Sequence, residues 1–215
     1  MSPAELNKRD SRIESRFARN GMEITQSYAT HLGWKLRPFQ VEGVNWLSFQ
    51  WWRGRPAILA DEMGLGKTVQ VAQFIAKLVE KKIWPHLILV PNSTILNVRR
   101  QHFRVYSLTI INQWVREFQT WAPDVRAVPY YGDAASREII RNYEIFHSGP
   151  TSGQTKLKLH VLITTYETFL SKSEWATVFK APTRWETLVI DEGQRRMRPL
   201  PASYGCVTDL DYSQK

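Results

Sequence analysis

Residues 57–68 read AILADEMGLGKT: an apolar run, a turn holding two glycines, then Gly-Lys-Thr at the start of an amphipathic stretch. That order builds a cradle for a polyphosphate. Gly64 and Gly66 let main-chain N–H groups approach an anion, and a helix N-terminus adds favourable partial charge. Lys67 would reach the β- and γ-phosphates, and the Thr68 hydroxyl would ligate Mg²⁺. The general pattern G-x-x-x-x-G-K-[ST] is not met at its first position, which is Asp61. A chance tripeptide opening a helix is the alternative, and the strand before it and helix after it weigh against that.

A second string, residues 188–194, reads LVIDEGQ. It delivers Asp191 and Glu192 at the end of an apolar run, where open α/β sheets place their ligands. Asp191 suits a Mg²⁺ ion, and Glu192 suits orientation or deprotonation of an attacking water. Alone, such a pair is more often a solvated turn; its weight comes from the phosphate cradle before it. A third string, LRPFQVEGVNWL at 36–47, sets Pro38 at a helix start and offers Gln40, donor and acceptor at once, to an adenine edge.

The elements that must position these residues are legible as alternating short apolar runs and amphipathic stretches. Strands are expected at 57–60, 87–90, 125–131, 160–164 and 187–191. Helices are expected at 40–53, 67–82, 114–121 and 134–147. Such alternation predicts a parallel, doubly wound sheet. Residues 148–158 (SGPTSGQTKLK) read as a surface loop. Residues 1–33, with one helix-like stretch near 11–19, read as a polar, loosely packed lead-in.

Bulk properties narrow the class. The chain has 215 residues, 43% hydrophobic and 23% charged, ordinary for a globular protein. One cysteine, Cys206, excludes an internal disulfide framework and a Cys-based zinc site. It also suits a reducing compartment. No apolar run approaches bilayer-spanning length, and the first residues lack the apolar stretch of a secretory signal. A net charge of +9 favours an anionic partner, nucleic acid first.

In this order the three strings resemble the Swi/Snf-type chromatin-remodelling ATPases of helicase-like superfamily two. DEMGLGKT carries most of that resemblance and accounts for Asp61. LVPNS (89–93), YYGD (130–133) and ITTYE (163–167) follow in family order, while WVREFQTWAP (114–123) and DEGQ resemble the chromodomain-helicase subgroup. Gln194 stands where many superfamily members have histidine and fits that subgroup. The resemblance implies a RecA-like P-loop NTPase lobe with a mostly parallel, helix-flanked sheet over 34–195. Its cofactors would be ATP and Mg²⁺, held by Gln40, Asp61, Glu62, Met63, Gly64, Leu65, Gly66, Lys67 and Thr68, with Asp191 and Glu192 as catalytic carboxylates. Pro91, Asn92, Ser93, Thr164 and Thr165 would lie on a DNA-tracking face, loop and strand-end capping being the alternative. The implied partners are double-stranded DNA, nucleosomes and other remodeller subunits, in the nucleus and away from membranes.

Two segments depart from the family pattern. Sixteen residues, 98–113, separate Asn97 from Trp114 where the family joins them. They are read here as translation of a short in-frame intron, with an inserted surface loop as the competing reading. From 196 the tail RMRPLPASYGCVTDLDYSQK has two prolines and no strand or helix periodicity. It is expected to lie outside the family pattern and to leave the lobe incomplete at its C-terminal side, without the next strand or the second lobe and its arginine finger. The resemblance therefore implies the ATP-binding lobe of a nucleosome-remodelling translocase, with an inactive ATP- or DNA-binding fragment as the alternative. A metabolic P-loop enzyme is disfavoured by the ordered extra motifs.

Overall fold

The computed structural model describes residues 16–17, 20–24, 33–62, 64–91, 100–147, 157–180, 182, 184–192 and 207–210, with main chain alone at 100–109 and 207–210. The strands are β1 (Ala57–Ile58), β2 (His86–Val90), β3 (Ala127–Tyr130), β4 (Val161–Thr165), β5 (Thr187–Asp191) and β6 (Val207–Leu210). The helices are α1 (Pro38–Trp52), α2 (Lys67–Glu80), α3 (Arg100–Trp121), α4 (Ala134–Ile140), α5 (Tyr166–Leu170) and the single turn α6 (Lys172–Glu174). π-helical turns continue α4 at Arg141–Ile145 and α6 at Trp175–Phe179.

All pairings between these strands are parallel, and the sheet order is β1-β6-β5-β2-β4-β3. The mostly parallel, helix-flanked α/β sheet expected from the sequence is therefore present. β2 and β4 are buried at every position, as strands covered on both faces should be. Their side chains divide by period two. Ile88 and Val90 join a core with Val44, Leu47, Phe74, Ile75, Leu78, Trp114 and Phe118 from α1, α2 and α3. Leu87 and Leu89 face the other way, toward Ile145, Phe169, Val178, Phe179 and Trp185.

Local chemistry sets the helix ends. Pro38 occupies the first turn of α1, where its missing N–H is no loss, and Gln40 Oε1 accepts the Arg37 N–H at 2.9 Å. At the other end Gly54, at φ 64°, turns the chain, its N–H donating to Trp51 O at 2.9 Å while Arg55 N–H reaches Gln50 O at 3.0 Å. Asp133 caps α4 by accepting the Ser136 N–H at 2.8 Å. A buried polar cluster joins that turn to α6. Tyr130 Oη donates to Glu174, and Arg137 bridges Glu174 Oε1 at 3.0 Å and Gly132 O at 2.6 Å.

Three departures from expectation stand out. The lead-in is not loosely packed where it is described: Phe17, Met22 and Ile24 are core residues. Phe17 meets Phe49 edge-on at 5.4 Å, and Asn45 clamps Ile24 through both its amide atoms, at 2.7 and 2.9 Å. Residues 100–113, the described part of the 98–113 segment, are helical and not the surface loop of the competing reading. They form the first turns of α3, run straight into 114–121, and bury Ile111 completely. The tail, expected to contribute no strand, supplies β6 between β1 and β5. Two open strand edges can capture a short segment that has no amphipathic pattern of its own, because the ladder needs only main-chain groups.

Candidate functional site

Every strand of a parallel sheet ends on the same side, so the turns after β1 and β5 open onto one rim. The turn after β1 is 59–66. Gly64 and Gly66 adopt φ 84° and 76°, a region that favours glycine, and Gly66 forms the N-cap of α2. A Cβ on Gly66 would stand 2.5 Å from Gln40 Nε2. Lys67 Nζ donates back to the carbonyls of Asp61 and Glu62, at 2.6 and 3.0 Å. The cation thus sits over the throat of its own loop. Thr68, beside it in the first turn of α2, is half-buried.

Gln40 and the loop are in direct contact. Its Nε2 donates to Leu65 O at 3.1 Å while its Oε1 holds Arg37 N–H. One donor and one lone pair of the amide are committed, which leaves one of each for a ligand. Asp61, in place of the loop's usual first glycine, accepts Gln70 Nε2 at 2.9 Å. Gln70 is fully buried and its Oε1 meets no donor among the described residues. A cleft of about 430 Å³, lined by Phe39, Glu42, Gly43, Trp46, Ile58 and Asp61, opens beside this turn between α1 and β1.

Gly43 makes that arrangement possible, because an added Cβ would lie 1.9 Å from Gln70 Oε1. Gly43→Ala is expected to push Gln70 off Asp61. Overpacking of this kind costs about 1–3 kcal/mol, partly offset by roughly 1 kcal/mol of helix propensity. A lowered Tm together with a several-fold weaker nucleotide affinity, against Gly43→Ser as a larger intrusion, checks it. An unchanged affinity would separate Asp61 from the cradle.

Asp191 ends β5 on the same rim. Burial pushes its carboxyl above the usual range; the Trp114 N–H pulls it back, Glu192 adds to the rise, and the Lys67 ammonium lowers it. The turn after β1 and the end of β5 thus open on the same rim, with β6 between their strands. Trp114 Nε1 donates to Asp191 Oδ2 at 3.0 Å, and Tyr166 Oη donates to the Asp191 carbonyl. Glu192 takes φ 53°, a left-handed conformation that is strained for a non-glycine residue and common at functional turns. Among the described residues no cluster of three or more His, Cys, Asp or Glu could hold a metal alone. One carboxylate and one hydroxyl beside a phosphate cradle fit Mg²⁺, which takes few protein ligands and completes its shell from phosphates and water.

A family model for the SNF2-related domain matches residues 39–207, most of the chain. The chain belongs to the SNF2-related domain family. Curated relatives agree. The CHD3-type chromatin-remodeling factor PICKLE of Arabidopsis thaliana is 38% identical over 174 residues, 74% of this chain and 11% of that protein. Chromodomain-helicase-DNA-binding protein 1 of Gallus gallus is 39% identical over 168 residues, 77% of this chain and 8% of that protein. This SNF2-related domain therefore spans about a tenth of their lengths. The Sulfolobus solfataricus SWI2/SNF2 ATPase core in complex with dsDNA shares its fold, with a TM-score of 0.58 and 24% identity over 86% of this chain and 33% of that one.

The residues expected on a DNA face fare differently within this domain. Thr164 has no exposed surface, and its hydroxyl donates to Tyr130 O at 2.8 Å. Thr165 is nearly buried and caps α5, its hydroxyl accepting the Thr168 N–H at 3.3 Å. Pro91 is buried at the end of β2. For these three, capping and packing are the roles on display. Met63, Asn92, Ser93, Gln194 and Cys206 lie outside the described residues. Trp114 and Tyr166 are the site residues that the sequence did not single out, although both stand in motifs quoted for the family, WVREF and ITTYE.

Proposed function

We propose that this domain is the ATP-binding lobe of an ATP-dependent DNA translocase that remodels nucleosomes in the nucleus. What supports this reading is that the turn leading from β1 into Lys67 and the end of β5 at Asp191 open on the same rim, their strands separated only by β6. Gly64 and Gly66 present main-chain N–H groups to the phosphates. Lys67 leaves the loop carbonyls for the β- and γ-phosphate oxygens. Thr68 and Asp191 would hold Mg²⁺, which when bound neutralises charge on the β- and γ-phosphates. Glu192, turned out of the strand by its left-handed backbone, orients the attacking water and takes its proton. Gln40 offers its remaining donor and acceptor to adenine while its other contacts hold the loop.

Double-stranded DNA as the partner is supported by the net charge of +9 and by the DNA named for the Sulfolobus core and the Gallus relative. In phosphoryl transfer of this type an arginine from outside the cradle is worth about 10³–10⁵ in rate. The 215-residue chain expressed alone is therefore expected to bind Mg·ATP yet turn it over at least about 10³-fold more slowly than the same lobe joined to a second one. Calorimetric ATP titration, with hydrolysis measured with and without duplex DNA, tests both halves. No ATP binding removes the lobe reading; vigorous DNA-stimulated hydrolysis by the 215-residue chain removes the requirement for a second lobe.

A further inference from the structure

Trp114 is a fully buried indole on α3, 77 residues before the carboxylate it touches. An indole carries one donor and no acceptor, so burying it requires one well-placed partner. Here the partner is Asp191 Oδ2, at 3.0 Å. Asp191 is held by two further contacts, one to its carboxylate and one to its main chain. The Glu192 main-chain N–H also bonds to it, and Tyr166 Oη fixes the carbonyl of the same residue. Trp114 itself is immobilised by Phe118, with rings 6.3 Å apart, and by the core that takes in Ile111. A rigid donor thus meets one oxygen of a side chain whose main chain is clamped separately. Such an arrangement removes the rotational freedom of Asp191 before any ligand arrives.

We infer that Trp114 is a positioning residue for the metal site, its indole N–H orienting the Asp191 carboxylate so that the other oxygen faces the phosphate cradle. This rests on the reading of Asp191 as the magnesium-holding carboxylate. Its physical content is preorganisation: a carboxylate already aimed loses less freedom on binding a cation. Loss of the outer partner of a metal-ligating group typically lowers metal affinity about 10–100-fold while leaving the ligand itself in place. Nucleotide contacts made through Lys67 and the glycine turn do not pass through Trp114 and should survive its loss.

The test uses the 215-residue chain with Mn²⁺ as the probe, followed by electron paramagnetic resonance in the presence of ATP. Affinity for ATP in excess chelator is measured in parallel. Trp114→Phe keeps most of the ring and deletes the N–H; Asp191→Asn is the control for the site. The expected result is a Mn²⁺ midpoint raised about 10–100-fold in Trp114→Phe. Its metal-free ATP affinity should stay within twofold of the parent, and its cooperative melt should be retained. If Trp114→Phe does not fold, benzothienylalanine placed at 114 replaces the N–H with sulfur at nearly the same shape, and the same shift is expected. A Mn²⁺ midpoint unchanged at 114 but raised in Asp191→Asn overturns this inference and leaves the site intact. A midpoint unchanged in both removes Asp191 as the metal carboxylate, and this inference with it.

Discussion

With Lys67 replaced by alanine, Mg·ATP is expected to bind about 10–100 times more weakly, because a charge-assisted hydrogen bond contributes roughly 1.5–3 kcal/mol. The structure says where that energy comes from. Without nucleotide the ammonium lies over the loop on the carbonyls of Asp61 and Glu62, so its desolvation is already partly met. Moving from two neutral carbonyls to anionic phosphate oxygens is then a gain in charge complementarity at little extra reorganisation. In the absence of nucleotide the variant should melt close to the parent, since Lys67 is only half-buried. The stabilisation produced by saturating ATP should shrink in proportion to the lost affinity. Lys67→Arg is not expected to restore binding, because a planar fork cannot occupy the space of a compact ammonium. Parent-like ATP affinity in Lys67→Ala would end the phosphate reading of residues 57–68.

Acid should weaken this fold through His86. The side chain is completely buried at the start of β2. Its Nε2 lies 2.9 Å from Ile83 O, and a carbonyl only accepts, so the proton is on Nε2; Nδ1 then accepts the Thr187 hydroxyl, also at 2.9 Å. Burial drives its pKa from 6.5 down to about 3, with a smaller push from His160. A group depressed in the folded state lets the unfolded chain bind the proton first. Its contribution is whole above pH 6.5 and is lost as pH falls toward 3. That amounts to roughly 2 kcal/mol by pH 5 and 4–5 kcal/mol near pH 3, a large share of a typical domain's stability. His160, also depressed by burial and by Arg126, acts in the same direction; Asp191 and Glu117, both raised by burial, act against it. Comparison with His86→Gln isolates the residue. That variant should be less stable at pH 7.5 yet show a much flatter loss of stability between pH 7 and pH 4 in urea melts. An equally steep loss in the variant would assign the acid sensitivity elsewhere.

Much of this architecture was legible in the residues. The five expected strands appear, and Thr187–Asp191 has the same ends in sequence and structure. The cradle turn and the Asp-Glu strand end could be recognised because each is a local string, with its chemistry, breaker and periodic neighbour close together. What was not legible is what depends on distant partners. Phe17, Met22 and Ile24 are isolated apolar residues in a polar stretch, and only the grooves of α1 reveal them as core. α3 was seen as 114–121 because residues 98–113 break the family spacing, although Ile111 continues the buried face that ends at Phe118. The helical run after β4 was missed because 166–179 is short and broken into single turns. Thr164 and Thr165 show the limit of motif transfer. Of the two readings open for them, a DNA face or strand-end capping, their burial and the Thr168 N–H contact match the second.

One consequence of the captured strand concerns tolerance to rewriting. β6 separates the strand before the Gly-Lys-Thr turn from that of Asp191, so two inter-strand steps, about 10 Å, set the spacing between the halves of the proposed site. That spacer is made of amides, and its register against Ala57 and Leu188 is a property of backbone. Nearly any extended tetrapeptide could serve as the same ruler. A proline inside it, or a deletion that slips the ladder, would instead let two intact motifs drift out of reach of one another.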